Sequence, residues 1–329
     1  MTSRRADNKN KDMYKILYSI FYAISLLPYR VLYGFSDFFY LILYKVVGYR
    51  KKVVRKNLAS SFPEKDEKEL RRIEKGFYHW LCDYFVETVK LLSVSDETLL
   101  RHIEFRNAEE LESYFDKGQT CAAILGHYCN WELLSATGLS FGRHREAVCG
   151  LIYHPLRNAM FDHLFKDIRH SKGGVCVPKN EILRYLVKYR REKRMWLFGY
   201  ISDQSPKWNN IHLWLPFLNH DTPVFTGGER IMRKMNDAVF YVDMERPSRG
   251  RYICTFRLVT DKPAELPDNE ITIRFFKMLE QTIRRDPRFY LWSHDRWKRT
   301  HEEFDRRFKV DSGHVTCKAD DTTPSAGMK

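Results

Sequence analysis

The chain of 329 residues contains no Cys-x-x-Cys pair, so the usual sequence mark of a structural zinc site is missing. Its seven cysteines, Cys82, Cys121, Cys129, Cys149, Cys176, Cys254 and Cys317, are odd in number and follow no repeated spacing. That pattern fits reduced intracellular thiols rather than a disulfide framework, and neither a metal nor a cofactor is expected. The sequence also lacks an uninterrupted apolar run of the roughly 20 residues that a spanning helix needs. No small-residue cleavage site follows its first apolar run, which argues against a signal peptide. It has no internal repeat, no low-complexity block and no recognised nucleic-acid motif, so nucleic acid is not the expected partner. What it does have is 56 Lys and Arg against 42 Asp and Glu, a formal net charge of +14, which favours an anionic partner such as a phospholipid surface.

Two shorter apolar runs stand near the N-terminus. Residues 16–27 read ILYSIFYAISLL, and after Pro28, Tyr29 and Arg30 the pattern resumes through Val47, interrupted by Asp37 and Lys45. Arg4, Arg5, Lys9 and Lys11 precede the pair, and Arg50, Lys51, Lys52, Arg55 and Lys56 follow it. With positive charge at both ends, both prefer the same side of a membrane. A shallow helical hairpin satisfies this, and so do two helices lying in the interface with tyrosines at headgroup depth, the arrangement we expect. A buried helical hairpin is the bland alternative. The expected organisation is a membrane-anchoring helical segment over 1–49, one large domain over 50–310 and a flexible polar tail over 311–329.

Within the large segment, Leu70, Ile73, Phe77, Trp80, Leu81, Tyr84, Phe85, Leu91 and Leu92 recur at helical spacing and predict a long amphipathic helix. Short apolar runs then alternate with helical patterns. Strands are expected at 121–126, 146–153, 174–177, 195–202, 238–244 and 251–259, and helices at 130–142, 156–169, 180–192, 226–236 and 271–285. Thr226 followed by Glu229 has the form of a capping box. Strand and helix taking turns gives an α/β fold with a central, mostly parallel sheet flanked by helices.

Ligands of open α/β sheets bind beyond the carboxyl ends of the strands. The stretch CAAILGHYCNWELLSATG puts His127 where a buried strand ends, Asn130 where a helix can be capped, and Glu132 in that helix's first turn. On one continuous helix, residues five apart point about 140° away from each other; a strand-to-helix turn lets them meet. Transfer of an acyl group to a hydroxyl needs a base that works near neutral pH, the role of His127, with Glu132 orienting and supporting the ring. Cys129, two residues from His127, offers an alternative as an acyl-accepting nucleophile.

Several stretches from about Tyr14 to Lys298 together resemble the lipid A biosynthesis lauroyl and myristoyl acyltransferases of the bacterial inner membrane. They include GYRKKVVRKNLASSFPEK at 48–65, GHYCNWE at 126–132, YHPLRN at 153–158, GGVCVPK at 173–179, DQSP at 203–206, TPVFTGGE at 222–229, and 271–298 ending in SHDRWK. The resemblance implies a His followed after four residues by Glu, matched by His127 and Glu132. It implies an acyl carrier protein thioester as donor, a glycolipid hydroxyl of a lipid A precursor as acceptor, and work at the cytoplasmic face of the inner membrane. A lysophospholipid, an aminolipid or a glycosylated polyol lipid is the alternative acceptor. Where family members commonly carry Arg after the tyrosine, this chain has His154, with Arg157 three residues later. Candidate substrate-binding residues are therefore His154, Arg157, Asp203, Gln204, Gly227, Gly228, Arg296 and Lys298, the last two as holders of an acceptor phosphate. His294 is expected to be structural.

Overall fold

The computed structural model describes residues 2–311 and 314–318. A seven-stranded sheet runs through the molecule in the order β1-β9-β8-β2-β5-β3-β4. Its strands are β1 (Ile103–Arg106), β2 (Cys121–Leu125), β3 (Val148–Tyr153), β4 (Val175–Pro178), β5 (Trp196–Ile201), β8 (Ala238–Ser248) and β9 (Arg251–Thr260). All neighbours are parallel except the β8/β9 hairpin. A second small sheet pairs β6 (Trp214–Phe217) with β7 (His220–Pro223). All five residues of β2, CAAIL, are buried, as a central strand covered on both faces requires.

Helices pack on both sides. They are α1 (Thr2–Ser25), α2 (Tyr29–Tyr40), α3 (Lys51–Ser61), α4 (Glu67–Lys90), α5 (Asp96–Leu100), α6 (Ala108–Asp116), α7 (Ala159–His170), α8 (Ile182–Arg191), α9 (Gly227–Met235), α10 (Glu270–Arg285) and α11 (His301–Arg307). The long helix α4 starts where Asp66 accepts a bond from the Glu69 N–H at 2.7 Å, and it buries Ile73, Phe77, Trp80, Leu81 and Tyr84 from the expected stripe. Residues 131–140, expected as an α-helix, wind as 3₁₀ turns instead. The anticipated capping box at Thr226 does not form: Thr226 makes no side-chain cap bond. Glu229 instead accepts from the backbone N–H and hydroxyl of Thr272, at 2.9 and 2.6 Å, and so ties α9 to α10.

Among the described residues no single helix is long and apolar enough to cross a membrane; Met13–Ser25 and Tyr29–Val47 form a pair bent by 113°. The bend sits at Pro28, whose missing N–H ends α1. One face of α2 buries Leu32, Ser36 and Tyr40, while Val31, Phe35, Phe38 and Phe39 stay exposed. At the other end of the chain, β10 (Phe308–Asp311) and β11 (His314–Cys317) pair antiparallel, so regular structure reaches into the stretch expected as a loose tail; residues 312–313 and 319–329 lie outside the described residues.

Candidate active site

The turn that leaves β2 is shaped by its neighbours. Gly126 has no room for a side chain, since a Cβ there would lie 2.7 Å from Leu279 Cδ1. Tyr128 N–H bonds back to Gly126 O at 2.8 Å, and Cys129 takes φ +51°. The segment after α10 zips along the turn: Cys129 N–H donates to Phe289 O at 2.9 Å, and Leu291 N–H donates to His127 O at 3.2 Å. Asn130 Nδ2 donates to the buried Glu87 at 3.0 Å. Bound on both sides, the turn presents the His127 ring at the carboxyl edge of the sheet, with its side chain 17% exposed.

The carboxylate that reaches the ring is Asp203, two residues beyond β5. Asp203 Oδ1 lies 2.7 Å from His127 Nδ1, and Oδ2 accepts the His127 backbone N–H at 3.0 Å. Because a carboxylate only accepts, this contact puts the proton of the neutral imidazole on Nδ1 and leaves Nε2 with its lone pair. Gln204 Nε2 stands 3.2 Å from that nitrogen, and Trp131 packs edge-on against the ring at 4.9 Å. Burial opposes the charge of Asp203, but the His127 ring, its backbone N–H and the nearby Arg296 together hold the carboxyl below its usual range.

Glu132 meets another partner. Its two oxygens are gripped by Arg169 of α7, Nε to Oε2 at 2.7 Å and Nη2 to Oε1 at 2.8 Å. Trp131 Nε1 also donates to Oε1 at 3.1 Å, and Tyr84 Oη does so at 3.4 Å. Burial works against the Arg169 charge, yet Glu132 more than restores it and its pKa lies above the ordinary arginine value. The expected support of the ring by Glu132 is thus replaced by Asp203, because both lone-pair edges of Glu132 are turned toward Arg169.

A cleft of about 430 Å³ opens over this group. His127, Trp131, Glu132, Arg169 and Gln204 line it with Tyr84, Leu151, Ile152, Tyr153, Phe165, Ile201 and Leu291, so a few polar groups converge on a mostly apolar slot. His154 and Leu156 stand at its exposed rim. Arg157 is exposed beside them but outside the lining.

Other candidates lie elsewhere. Gly228 is close-packed, since a Cβ would sit 3.3 Å from Tyr200, whereas one on Gly227 would meet nothing within 4 Å; neither lines the cleft. Arg296 is 1% exposed and donates to Pro223 O at 2.6 Å, with burial pulling its pKa down to about 10. It stands outside the cleft lining, enclosed rather than on the exposed basic face. Lys298 is exposed and outside the cleft lining. Burial pushes the His294 imidazole down to about 4, and its Nε2 accepts from Ser205 N–H at 3.4 Å; it lies outside the cleft lining. Cys129 is fully buried, and burial pushes its thiol far above the ordinary range, the opposite of an activated nucleophile.

Sequence reasoning missed Arg169. Near the C-terminal end of a helix it reads as a cation answering the helix dipole, and nothing in the spacing links it to Glu132.

The sequence model of the bacterial lipid A biosynthesis acyltransferases matches residues 10–299 of this chain. The chain is also similar to the lipid A biosynthesis lauroyltransferase of Escherichia coli (strain K12), 21% identical over 285 residues, which cover 86% of this chain and 90% of that protein.

Proposed function

Because this chain belongs to the bacterial lipid A biosynthesis acyltransferase family and is an acyltransferase, we propose that it transfers a fatty acyl group from an acyl carrier protein thioester to a hydroxyl of a lipid A precursor or related glycolipid, with His127 as general base. The observation that carries the mechanism is the His127–Asp203 contact, 2.7 Å at Nδ1, which leaves the basic Nε2 at the cleft. In the reaction the acceptor hydroxyl takes the place of Gln204 at Nε2. Its proton passes to Nε2 as its oxygen attacks the thioester carbonyl. The tetrahedral intermediate collapses by breaking the C–S bond, and the departing thiolate takes the proton from Nε2–H. An ester is formed, a free thiol is released, and the imidazole is neutral again. Asp203 fixes the tautomer and stabilises the protonated ring in between. A thioester carries its own leaving group, so no acyl-enzyme is needed and Cys129 has no part.

Glu132 acts in this scheme as a positioning residue through Arg169, whose guanidinium it holds in the cleft wall. The work is done at the cytoplasmic face of the bacterial inner membrane, with the N-terminal helices resting on an anionic lipid surface. The apolar residues exposed on α1 and α2 support that reading: Ile16, Ile20, Phe35, Phe38 and Phe39. The deciding experiment is a mass spectrum of the host's lipids after deletion of this protein. Loss of one acyl chain from lipid A is the expected result, and an unchanged lipid A with an altered phospholipid or aminolipid would reassign the acceptor.

A further inference from the structure

A second, smaller space lies against the same sheet face as the cleft. It is a void of about 20 Å³ bordered by buried residues, among them Ala123, Leu134, Ser135, Cys149 and Gly199. The cleft lies between the sheet and the 131–140 segment, with Ile201 on one wall and Trp131 and Glu132 on the other. The void continues in the same direction, one pleat further back along β5 and one turn further along the 131–140 segment. Leu151 of β3 is the residue the two linings share.

The sheet register explains what Leu151 does there. Leu151 is the partner of Gly199 on β5, and Gly199 is the partner of Ala123 on β2. Three adjacent strands therefore point Leu, Gly and Ala to one face at one level, because partners in a parallel ladder share a face. With no side chain at Gly199 the floor is low, and Leu151 leans into the gap: a Cβ on Gly199 would meet Leu151 Cδ2 at 2.9 Å. The side chain of Leu151 thus stands between an apolar slot and the space behind it.

We propose that Leu151, seated on Gly199, sets the length of acyl chain this enzyme transfers. The proposal rests on the reading of the cleft as the place where the acyl group reacts. The chain runs down from His127 along the sheet, and its methyl end meets Leu151. Shortening Leu151 to Ala removes three carbons and joins the void, which has room for about one water-sized group, so the preferred chain grows by roughly two to four carbons. Adding a methyl group at Gly199 displaces Leu151 toward the slot and shortens the preferred chain. Each methylene that gains or loses a buried place changes the relative rate by about 4-fold.

The test gives the purified full chain an equimolar mixture of saturated acyl thioesters of increasing length and reads the transferred chain by mass. Leu151→Ala and the milder Leu151→Val are expected to move the distribution to longer chains, and Gly199→Ala to shorter ones, with thermal melts checking the fold of each. Opposite shifts from two neighbouring positions do not follow from general loosening of the core. An active wild type whose distribution is the same in Leu151→Val and Gly199→Ala overturns the role of Leu151 and leaves the transfer reading intact. A wild type that transfers no chain from any thioester overturns both.

Discussion

His127→Ala is expected to lower turnover by roughly 10² to 10⁴, the usual contribution of a positioned base, with donor binding little changed. The two carboxylates near it have different partners, so their substitutions are separable. Asp203→Asn removes the carboxylate charge and leaves one acceptor oxygen where two serve His127, at ring Nδ1 and at the backbone N–H. It should act on turnover, and combined with His127→Ala it should cost little beyond the single loss, because residues working as one unit are not additive. Glu132→Gln leaves the ring's hydrogen bond in place and takes the charge from Arg169. Its loss should multiply with that of His127→Ala. Steady-state kinetics of the wild type, the three single variants and the two double variants decides this. If Glu132→Gln adds little to His127→Ala while Asp203→Asn multiplies with it, the ring depends on Glu132 after all. Cys129→Ala should keep most of the activity, and an acyl group trapped on Cys129 in a single turnover would overturn the direct transfer.

At the scale of elements, the sheet carries a titratable group at the end opposite the cleft. Asp237 precedes β8, is buried, and accepts from Thr120 Oγ1 at 2.6 Å and Trp196 Nε1 at 3.1 Å. Burial outweighs these bonds and pushes its carboxyl up to about 7, against about 3.9 for an unfolded Asp. The folded state therefore holds the proton more tightly, and this contribution to stability is fully present below about pH 4 and is lost as pH rises to about 7. Asp237→Asn cannot ionise. Its stability relative to the wild type should improve by roughly 1 to 4 kcal/mol between pH 4.5 and 8, as read by urea unfolding; a constant difference would show that Asp237 stays charged or finds water. The same strands explain what the sequence made legible. Runs such as CAAILG and MWLFGYIS are near-continuous apolar stretches, the mark of strands buried on two faces, and both are strands; RYICTFRLV alternates instead, and in β9 buried positions alternate with less buried ones. β1, with the sequence IEFR, is four residues at the sheet edge, and β6 and β7 carry Pro216 and Pro223; such short or proline-bearing strands leave little periodicity to read. His127, Asp203 and Gln204 were visible because each closes a buried strand. That Asp203 rather than Glu132 would reach the ring depends on β2 and β5 being neighbours, a pairing across more than 70 residues that no local pattern encodes.

At the scale of the whole molecule, the proposed attachment to a lipid surface would rest on the N-terminal helices. The N-terminal helices have two faces with different duties. Leu32, Ser36 and Tyr40 pack inward, Ser36 Oγ donates to Asp83 at 2.6 Å and Tyr33 Oη to Glu87 at 3.0 Å, and Arg249 pairs with both Asp37 and Asp83. Deleting the segment through Val47 would therefore strip cover from α4 as well as remove the proposed anchor, and a lost phenotype would be uninformative. The outward face is the clean target: Phe35, Phe38 and Phe39 are about half exposed in the protein alone. If these rings enter the interface, each contributes about 1 to 2 kcal/mol of apolar burial. Phe35→Ser, Phe38→Ser and Phe39→Ser together should then lower partition onto anionic vesicles by roughly 10² to 10⁴ while the melting temperature stays near that of the wild type. The net charge of +14 adds attraction that salt screens within about 10 Å at 0.1 M. Wild-type protein should accordingly stay on the vesicles in high salt, whereas the triple variant, left with its charges alone, should bind at low salt and be washed off at high salt. Complete release of the wild type by salt would mean that charge alone holds the protein at the surface and that the exposed rings do not enter the lipid.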